Sequence, residues 1–174
     1  FNSSENGLRE KLFGIKNFGI WDEELIKDVG ANAKMNEFQA AMGLCNLRHI
    51  DRELAKRKAV VEHYNERLSG VNGLKISAPQ KDVKPNYAYY PVIFEPEEFG
   101  KSRDEIYELL KVNEIYARKY FYPLTNTFEC YKGMFDMGDT PVALDLSKKV
   151  LTLPLYADLR IDQVDRICDI ILGR

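Results

Sequence analysis

Apolar positions along the chain switch between a spacing near four residues and a spacing of two, so helices and short strands are both expected. After the turn-like Asn2-Ser3-Ser4, Leu8, Leu12 and Ile15 line one side of a helix over Glu5 to Lys16, and Gly19 supplies a stop. A loop is expected from Ile20 to Met35, carrying Trp21 and the acidic Asp22, Glu23 and Glu24. At Asn36 the pattern opens a capped helix, with Gln39 three residues on to return the bond. Leu47, Leu54, Val61 and Leu68 recur every seven residues, supported by Ile50 and Tyr64, which extends that helix to about Leu68. Phe38 to Cys45 is apolar on nearly every side, whereas charges of both signs cover Arg48 to Arg67. The first half is therefore expected to be buried and the second to lie on a surface.

Gly70, Asn72 and Gly73 mark a turn, and Tyr87 to Phe94 reads as a strand that Pro91 pushes toward an edge or bulge. Ser102-Arg103-Asp104-Glu105 is a capping box that opens a helix with Ile106, Leu109 and Leu110 inward. A short strand follows around Ile115 to Lys119, then an aromatic loop, then a helix opened by Thr140 with Pro141 at its first position. Val150 to Leu153 is a third strand, and Ile161, Val164, Ile167, Cys168 and Ile171 form a last amphipathic helix. Strands alternating with helices after one long helix predict an α/β or α+β unit with a small sheet.

Composition narrows the class. With 174 residues, 45% of them hydrophobic, the chain is long enough to bury a core without disulfides or metals. A net charge of -2 argues against a nucleic-acid partner, and no apolar run approaches the roughly 20 residues of a membrane span. Cys45, Cys130 and Cys168 are widely spaced and read as reduced core residues of a cytoplasmic protein. The chain opens on Phe1 without a signal-peptide pattern, so it reads as a truncated or processed product.

Most local motifs have ordinary explanations. Gly100-Lys101-Ser102 is not a phosphate loop, because the position five before the Gly-Lys pair is Glu95; Ser102 is a helix cap. His49 and His63 lie fourteen residues apart on the expected helix, roughly 21 Å, too far to share a metal; they are expected to be solvated or to face a partner. Lys56-Arg57-Lys58 is balanced by Glu53, Glu62 and Glu66. The pairs Glu23-Glu24 and Glu97-Glu98 lack an apolar wall to raise a pKa. The cluster Arg118-Lys119-Tyr120-Phe121-Tyr122-Pro123 is different: its cations suit phosphate and its rings suit a base or sugar, although a packed turn with snorkelling cations explains it equally.

The segment from Gly30 to Leu44, Gly-Ala-Asn-Ala-Lys-Met-Asn-Glu-Phe-Gln-Ala-Ala-Met-Gly-Leu, resembles the hallmark of the DegT/StrS-type sugar-nucleotide aminotransferases. The likeness continues through Lys16 to Gly19, the Arg57 region, Tyr89 to Val92, Arg118 to Leu124 and Val150 to Leu155. It implies a pyridoxal-phosphate enzyme of the aspartate-aminotransferase fold (fold type I) that moves an amino group, usually from glutamate, to a nucleotide-linked keto-deoxysugar. The implied organisation is a remnant of the large cofactor domain at 1–35, a linking helix at 36–68 and a C-terminal small domain at 69–174, with a mainly antiparallel sheet flanked by helices.

By the same resemblance, Asn32 matches an asparagine that reaches across a homodimer to the cofactor phosphate, and Lys34 replaces a common arginine at a substrate phosphate. Arg118, Lys119 and Tyr120 match a segment near the substrate entrance, and Thr125 stands where many members carry histidine. No lysine of this chain matches the coenzyme-bearing lysine, so these residues alone are expected to be inactive. Two other classes stay open: a regulatory or oligomerisation module, and a nucleotide-sugar binder without catalysis. The resemblance implies no metal, nucleic acid or membrane partner.

Overall fold

A computed structural model of the chain describes residues 7–78, 80–131 and 133–174; the expected turn at Asn2 to Ser4 and the helix start at Glu5 lie outside them. The chain divides into two compact units, Phe1–Ile50 and Asp51–Arg174, a division that falls inside the expected linking helix.

In the first unit, α1 (Leu8–Lys16) runs into Phe18 and Gly19, both with positive φ, and then into a hairpin of β1 (Ile20–Asp22) and β2 (Leu25–Ile26). The hairpin replaces the expected loop, because strands of three and two residues are too short to show alternation. Asp22 accepts from the Glu23 backbone N–H (2.8 Å) within the acidic cluster, and the Trp21 indole donates to Asp28 (2.8 Å). α2 (Glu37–Leu47) begins as expected: Asn36 Oδ1 accepts from the Gln39 N–H (2.9 Å) while Gln39 Oε1 accepts from the Asn36 N–H (3.0 Å).

Two expectations for this helix fail. None of its residues is buried, and Phe38 is 88% exposed. An apolar pattern states which side chains demand cover, not which element supplies it. The helix also stops at Leu47, and α3 (Ile50–Leu68) starts afresh. At the break, the Arg48 N–H is shared between Leu44 O and Cys45 O, and the His49 N–H bonds Asn46 O (3.0 Å); this tightening to a three-residue repeat ends the α ladder.

The second unit continues from α3 through β3 (Leu74–Ile76), β4 (Tyr90–Phe94), α4 (Pro96–Phe99), α5 (Arg103–Val112), α6 (Pro141–Lys149), β5 (Val150–Leu153) and α7 (Ile161–Leu172), with short 3₁₀ turns between α5 and α6. The strands form one antiparallel sheet in the order β3-β4-β5. Pro91 therefore sits in the central strand, not at an edge. Its missing N–H costs nothing there: both backbone groups of its partner Thr152 bond Arg118 on the far side, and β3 ends opposite Val92.

Tyr90, Val92 and Phe94 project from one face of β4 into a core with Leu151 and Leu153 of β5, Ile106 and Leu110 of α5, Tyr64 and Leu68 of α3, and Val164, Ile167, Cys168 and Ile171 of α7. The heptad stripe of α3 is thus read at a spacing of four, through Val60, Tyr64 and Leu68, while Leu47 and Ile50 are exposed. Of the cysteines only Cys168 is in the core, where burial pushes its thiol up to about 12; Cys45 and Cys130 lie on an uncovered helix and an exposed turn.

Polar contacts tie α3 to α7. His63 Nε2 lies 2.8 Å from Asp165, and Arg67 reaches both Asp165 and Asp169, so His63 faces another element rather than solvent alone. His63, with Arg67, holds the Asp165 carboxyl below the usual carboxylate range. The capping box of α5 forms as the sequence implies: Ser102 Oγ accepts from the Glu105 N–H (3.3 Å) and Glu105 accepts from the Ser102 N–H (2.7 Å). Ser102→Ala is expected to cost about 1 kcal/mol of stability, read as a lower denaturant midpoint at unchanged slope, and Ser102→Asn to keep most of it.

Candidate substrate-binding site

After α5, Glu114 turns the chain with φ 62°, and the next residues alternate like a strand. Ile115 and Ala117 are buried, while Tyr116 and Arg118 are exposed. The Arg118 N–H bonds Thr152 O (3.0 Å) and the Thr152 N–H bonds Arg118 O (2.8 Å), which attaches the segment to β5 by an isolated bridge. The expected strand at Ile115 to Lys119 is reduced to that bridge.

Tyr116, Arg118 and Tyr120 line a cavity of about 350 Å³ whose other walls include Tyr89, Pro154 and Tyr156. Arg118 Nη1 donates to the Tyr120 hydroxyl, and its guanidinium lies 5.4 Å from that ring's centre. Tyr89 meets Tyr120 edge to face at 5.5 Å. The cavity wall is fixed from within: buried Tyr64, stacked on Tyr90 at 4.7 Å, donates to Pro154 O (3.0 Å). Burial raises the Tyr64 phenol well above its ordinary value, so it stays a neutral donor.

Among the described residues Arg118 makes no ion pair with a carboxylate. A guanidinium without a counter-charge, beside phenol hydroxyls and aromatic faces, suits an anionic group joined to a planar ring. A larger cavity, about 620 Å³, lies between α3 and a stretch that includes Ser77, Val83 and Tyr87 to Pro91, but among the described residues its only charged lining residues, Lys58 and Glu62, pair with each other at 3.4 Å. It therefore offers no net charge to an ionic ligand.

Lys119 leaves the same segment on the opposite side. Its Nζ is 2.6 Å from Asp104 and 4.5 Å from the centre of the Tyr107 ring, and it does not line the cavity. Thr125 opens a 3₁₀ turn, where its carbonyl accepts from the Phe128 N–H (3.2 Å), and it does not line the cavity either. Sequence reasoning does not single out Tyr116 or Tyr156 as lining residues. Alternation from Ile115 would place Tyr116 with Arg118, whereas Tyr156 arrives from beyond β5 with no local signal.

Asn32 and Lys34 belong to the first unit. Their loop is tied to the end of α1 by Phe18 N–H to Ala31 O (3.2 Å) and Ala33 N–H to Lys16 O (2.9 Å). Lys34 Nζ donates to Asn17 Oδ1 (3.2 Å) and lies 5.0 Å from the Phe18 ring centre. The Asn32 side chain is exposed and makes no hydrogen bond among the described residues, so its amide is available to a phosphate oxygen. No group of His, Cys, Asp and Glu side chains suited to a metal occurs among the described residues, and none of their helices is long and apolar enough to cross a membrane.

These features can be set beside known proteins. The chain is 40% identical over 162 residues to a dTDP-4-amino-4,6-dideoxy-D-glucose transaminase of Escherichia coli, covering 92% of this chain and 43% of that protein. It is 25% identical to the GDP-perosamine synthase of Vibrio cholerae over 97% of its own length and 46% of that protein's. Among solved structures, S. venezuelae DesV superposes with a TM-score of 0.84 at 25% identity, and DesI, solved in the presence of its TDP-sugar product, with 0.84 at 27%. Each of these two structures matches 95% of this chain, which spans less than half the length of these relatives. With residues 2–172 matching its profile, the chain belongs to the DegT/DnrJ/EryC1/StrS aminotransferase family.

Proposed function

We propose that this chain is the C-terminal part of a pyridoxal-phosphate-dependent aminotransferase that passes an amino group from an amino-acid donor, glutamate, to a nucleotide-linked keto-deoxysugar. The observation that carries the substrate assignment is Arg118, a guanidinium without a carboxylate partner among the described residues, bonded to Tyr120 in an aromatic-walled cavity. The relatives named for dTDP- and GDP-sugar chemistry support it. Arg118 and Tyr120 are assigned to the nucleotide-sugar, Arg118 to its phosphates and the tyrosine rings to its planar or sugar portion.

Pyridoxal phosphate, when bound, supplies the electron sink that amino transfer needs. In this chain Asn32 is the residue that would hold a phosphate oxygen, because its exposed amide is a neutral donor with no competing bond among the described residues. Lys34 keeps a substrate-side role in this reading, with its ammonium drawn toward Asn17 until an anion arrives. Lys119 and Thr125 are left without a direct ligand contact. None of the chain's lysines is assigned as the coenzyme-bearing one, and these 174 residues alone are expected not to transaminate. The apolar side chains exposed along α2, Phe38 and Met42 among them, support assembly as a homodimer. The unpaired thiols, two of them exposed, support a cytoplasmic setting.

Arg118→Met is expected to raise the dissociation constant for thymidine diphosphate about tenfold, with Arg118→Lys intermediate because a point charge replaces a two-pronged donor. Calorimetric titration of the natural full-length polypeptide checks this, and equal affinity in both variants and the parent would remove Arg118 from the site.

A further inference from the structure

The short segment that presents Arg118 and Tyr120 to the cavity is gripped on its other side by the first turn of α5. Lys119 Nζ lies 2.6 Å from Asp104 and over the Tyr107 ring, and the guanidinium of Arg103 lies 5.1 Å from the centre of the Tyr122 ring. Arg103 is itself held in place: it is 2% exposed, donates to Ser147 O and Val150 O, both at 3.1 Å, and its Nε lies 2.7 Å from Asp104. The Ser102–Glu105 capping box fixes the turn that carries Arg103 and Asp104. Lys119, between Arg118 and Tyr120, and Tyr122, beyond them, are thus held by neighbours in the first half of α5, while the backbone of the segment is joined to the sheet at the Thr152 bridge.

We infer that Asp104 is a positioning residue for nucleotide binding: by drawing Lys119 onto α5 it fixes the alternation that turns Arg118 and Tyr120 into the cavity. The inference rests on the assignment of that cavity to the nucleotide-sugar. Arg118 is a rotamer-rich side chain, so a segment already locked in the binding geometry spares the ordering cost that the ligand would otherwise meet. Lys119 acts through Asp104 and not through the ligand. The Asp104 carboxyl is held below the usual carboxylate range, first by the Lys119 hydrogen bond, so it is ionised at neutral pH.

Charge alone makes the opposite prediction, and this gives the test its sign. Asp104 is an anion near an anion-binding arginine, so removing its charge should tighten thymidine diphosphate binding if electrostatics were its whole effect. Positioning requires that Asp104→Asn weaken it. In the natural full-length polypeptide, Asp104→Asn and Lys119→Met are each expected to raise the dissociation constant for thymidine diphosphate about fivefold. The double variant should be no weaker than Asp104→Asn alone, because that substitution has already broken the link that Lys119→Met removes. The Arg118 Nε–H proton resonance should shift in both single variants, a change that a loss of global stability would not produce.

Asp104 is 62% exposed in its side chain, so the asparagine leaves packing intact, but its carboxylate also lies 2.7 Å from the buried Arg103 Nε; Lys119→Met leaves that contact in place, while the sign of the test rests on Asp104→Asn. Unchanged or tighter binding in Asp104→Asn, or a double variant whose losses add, overturns the positioning role. If Arg118→Met weakens binding while Asp104→Asn does not, the positioning role alone fails. Indifference of binding to Arg118→Met overturns the site assignment and the inference with it.

Discussion

Arg103→Met is expected to destabilise the second unit by about 3 kcal/mol, seen as a fall of roughly 10 °C in melting temperature. Arg103 is 2% exposed and its Nη1 serves two carbonyls, Ser147 O near the end of α6 and Val150 O at the start of β5. The last carbonyls of a helix have no partner within it, and a cation there also complements the helix dipole. Methionine fills much of the same volume but donates nothing, so one buried and one half-buried acceptor lose their bonds, at about 1 to 3 kcal/mol for a buried one. Part of the loss is offset because the buried charge goes too. Nε lies 2.7 Å from an Asp104 oxygen without hydrogen-bond geometry, so little is lost on that side. Arg103→Lys should fall between the two, since one ammonium cannot reproduce the fork. A melting temperature within about a degree of the parent for Arg103→Met would show that water replaces both bonds.

Gly30→Ala is expected to cost about 3 kcal/mol in the first unit and to release the loop that carries Asn32 and Lys34. A Cβ on Gly30 would stand 2.2 Å from Ile15 O and 2.5 Å from the Gly19 nitrogen, both backbone atoms that cannot swing aside. The demand is for close approach, not for an unusual φ, since Gly30 is not among the positive-φ glycines. The loop must move away from α1, and the bonds of the Phe18 and Ala33 amides must break with it. Their hydrogen exchange should accelerate about a hundredfold while amides of the second unit keep their rates. Gly43, inside α2, is the control, because a Cβ added there would meet nothing within 4 Å: Gly43→Ala should be neutral or stabilising by up to about 1 kcal/mol. Retained protection at Phe18 and Ala33 in Gly30→Ala would mean that the hallmark glycine is not there for packing.

Much of the second unit was legible along the chain. The capping box at Ser102, the Thr140-Pro141 opening of α6, the strand at Val150 to Leu153 and the amphipathic α7 all follow from residues within a few positions of one another. Pro91 shows where such reading ends. A missing N–H argues for an edge, yet the pairing partner Thr152 spends its backbone bonds on Arg118, a residue some thirty positions away. The break at Arg48 was hidden for a related reason: the heptad stripe runs straight across it, while the chain bonds locally into a tighter turn.

The same division runs through the site. Residue chemistry marked Arg118, Lys119 and Tyr120 together as a ligand for phosphate and rings, and family likeness marked Asn32 and Lys34. Which of the neighbours face the cavity was settled by packing: Ile115 and Ala117 enter the core, so Tyr116 and Arg118 turn out and Lys119 turns back to Asp104. The amino-acid order by itself determined family, helix boundaries set by caps, and the kinds of side chain available to a substrate, because these depend on short-range patterns and on chemistry carried by each residue. Only the tertiary structure decided that β4 is central, that Arg118 and Lys119 serve opposite sides, and that Tyr89 and Tyr156 share one cavity, because those facts depend on which distant backbone groups satisfy one another's hydrogen bonds.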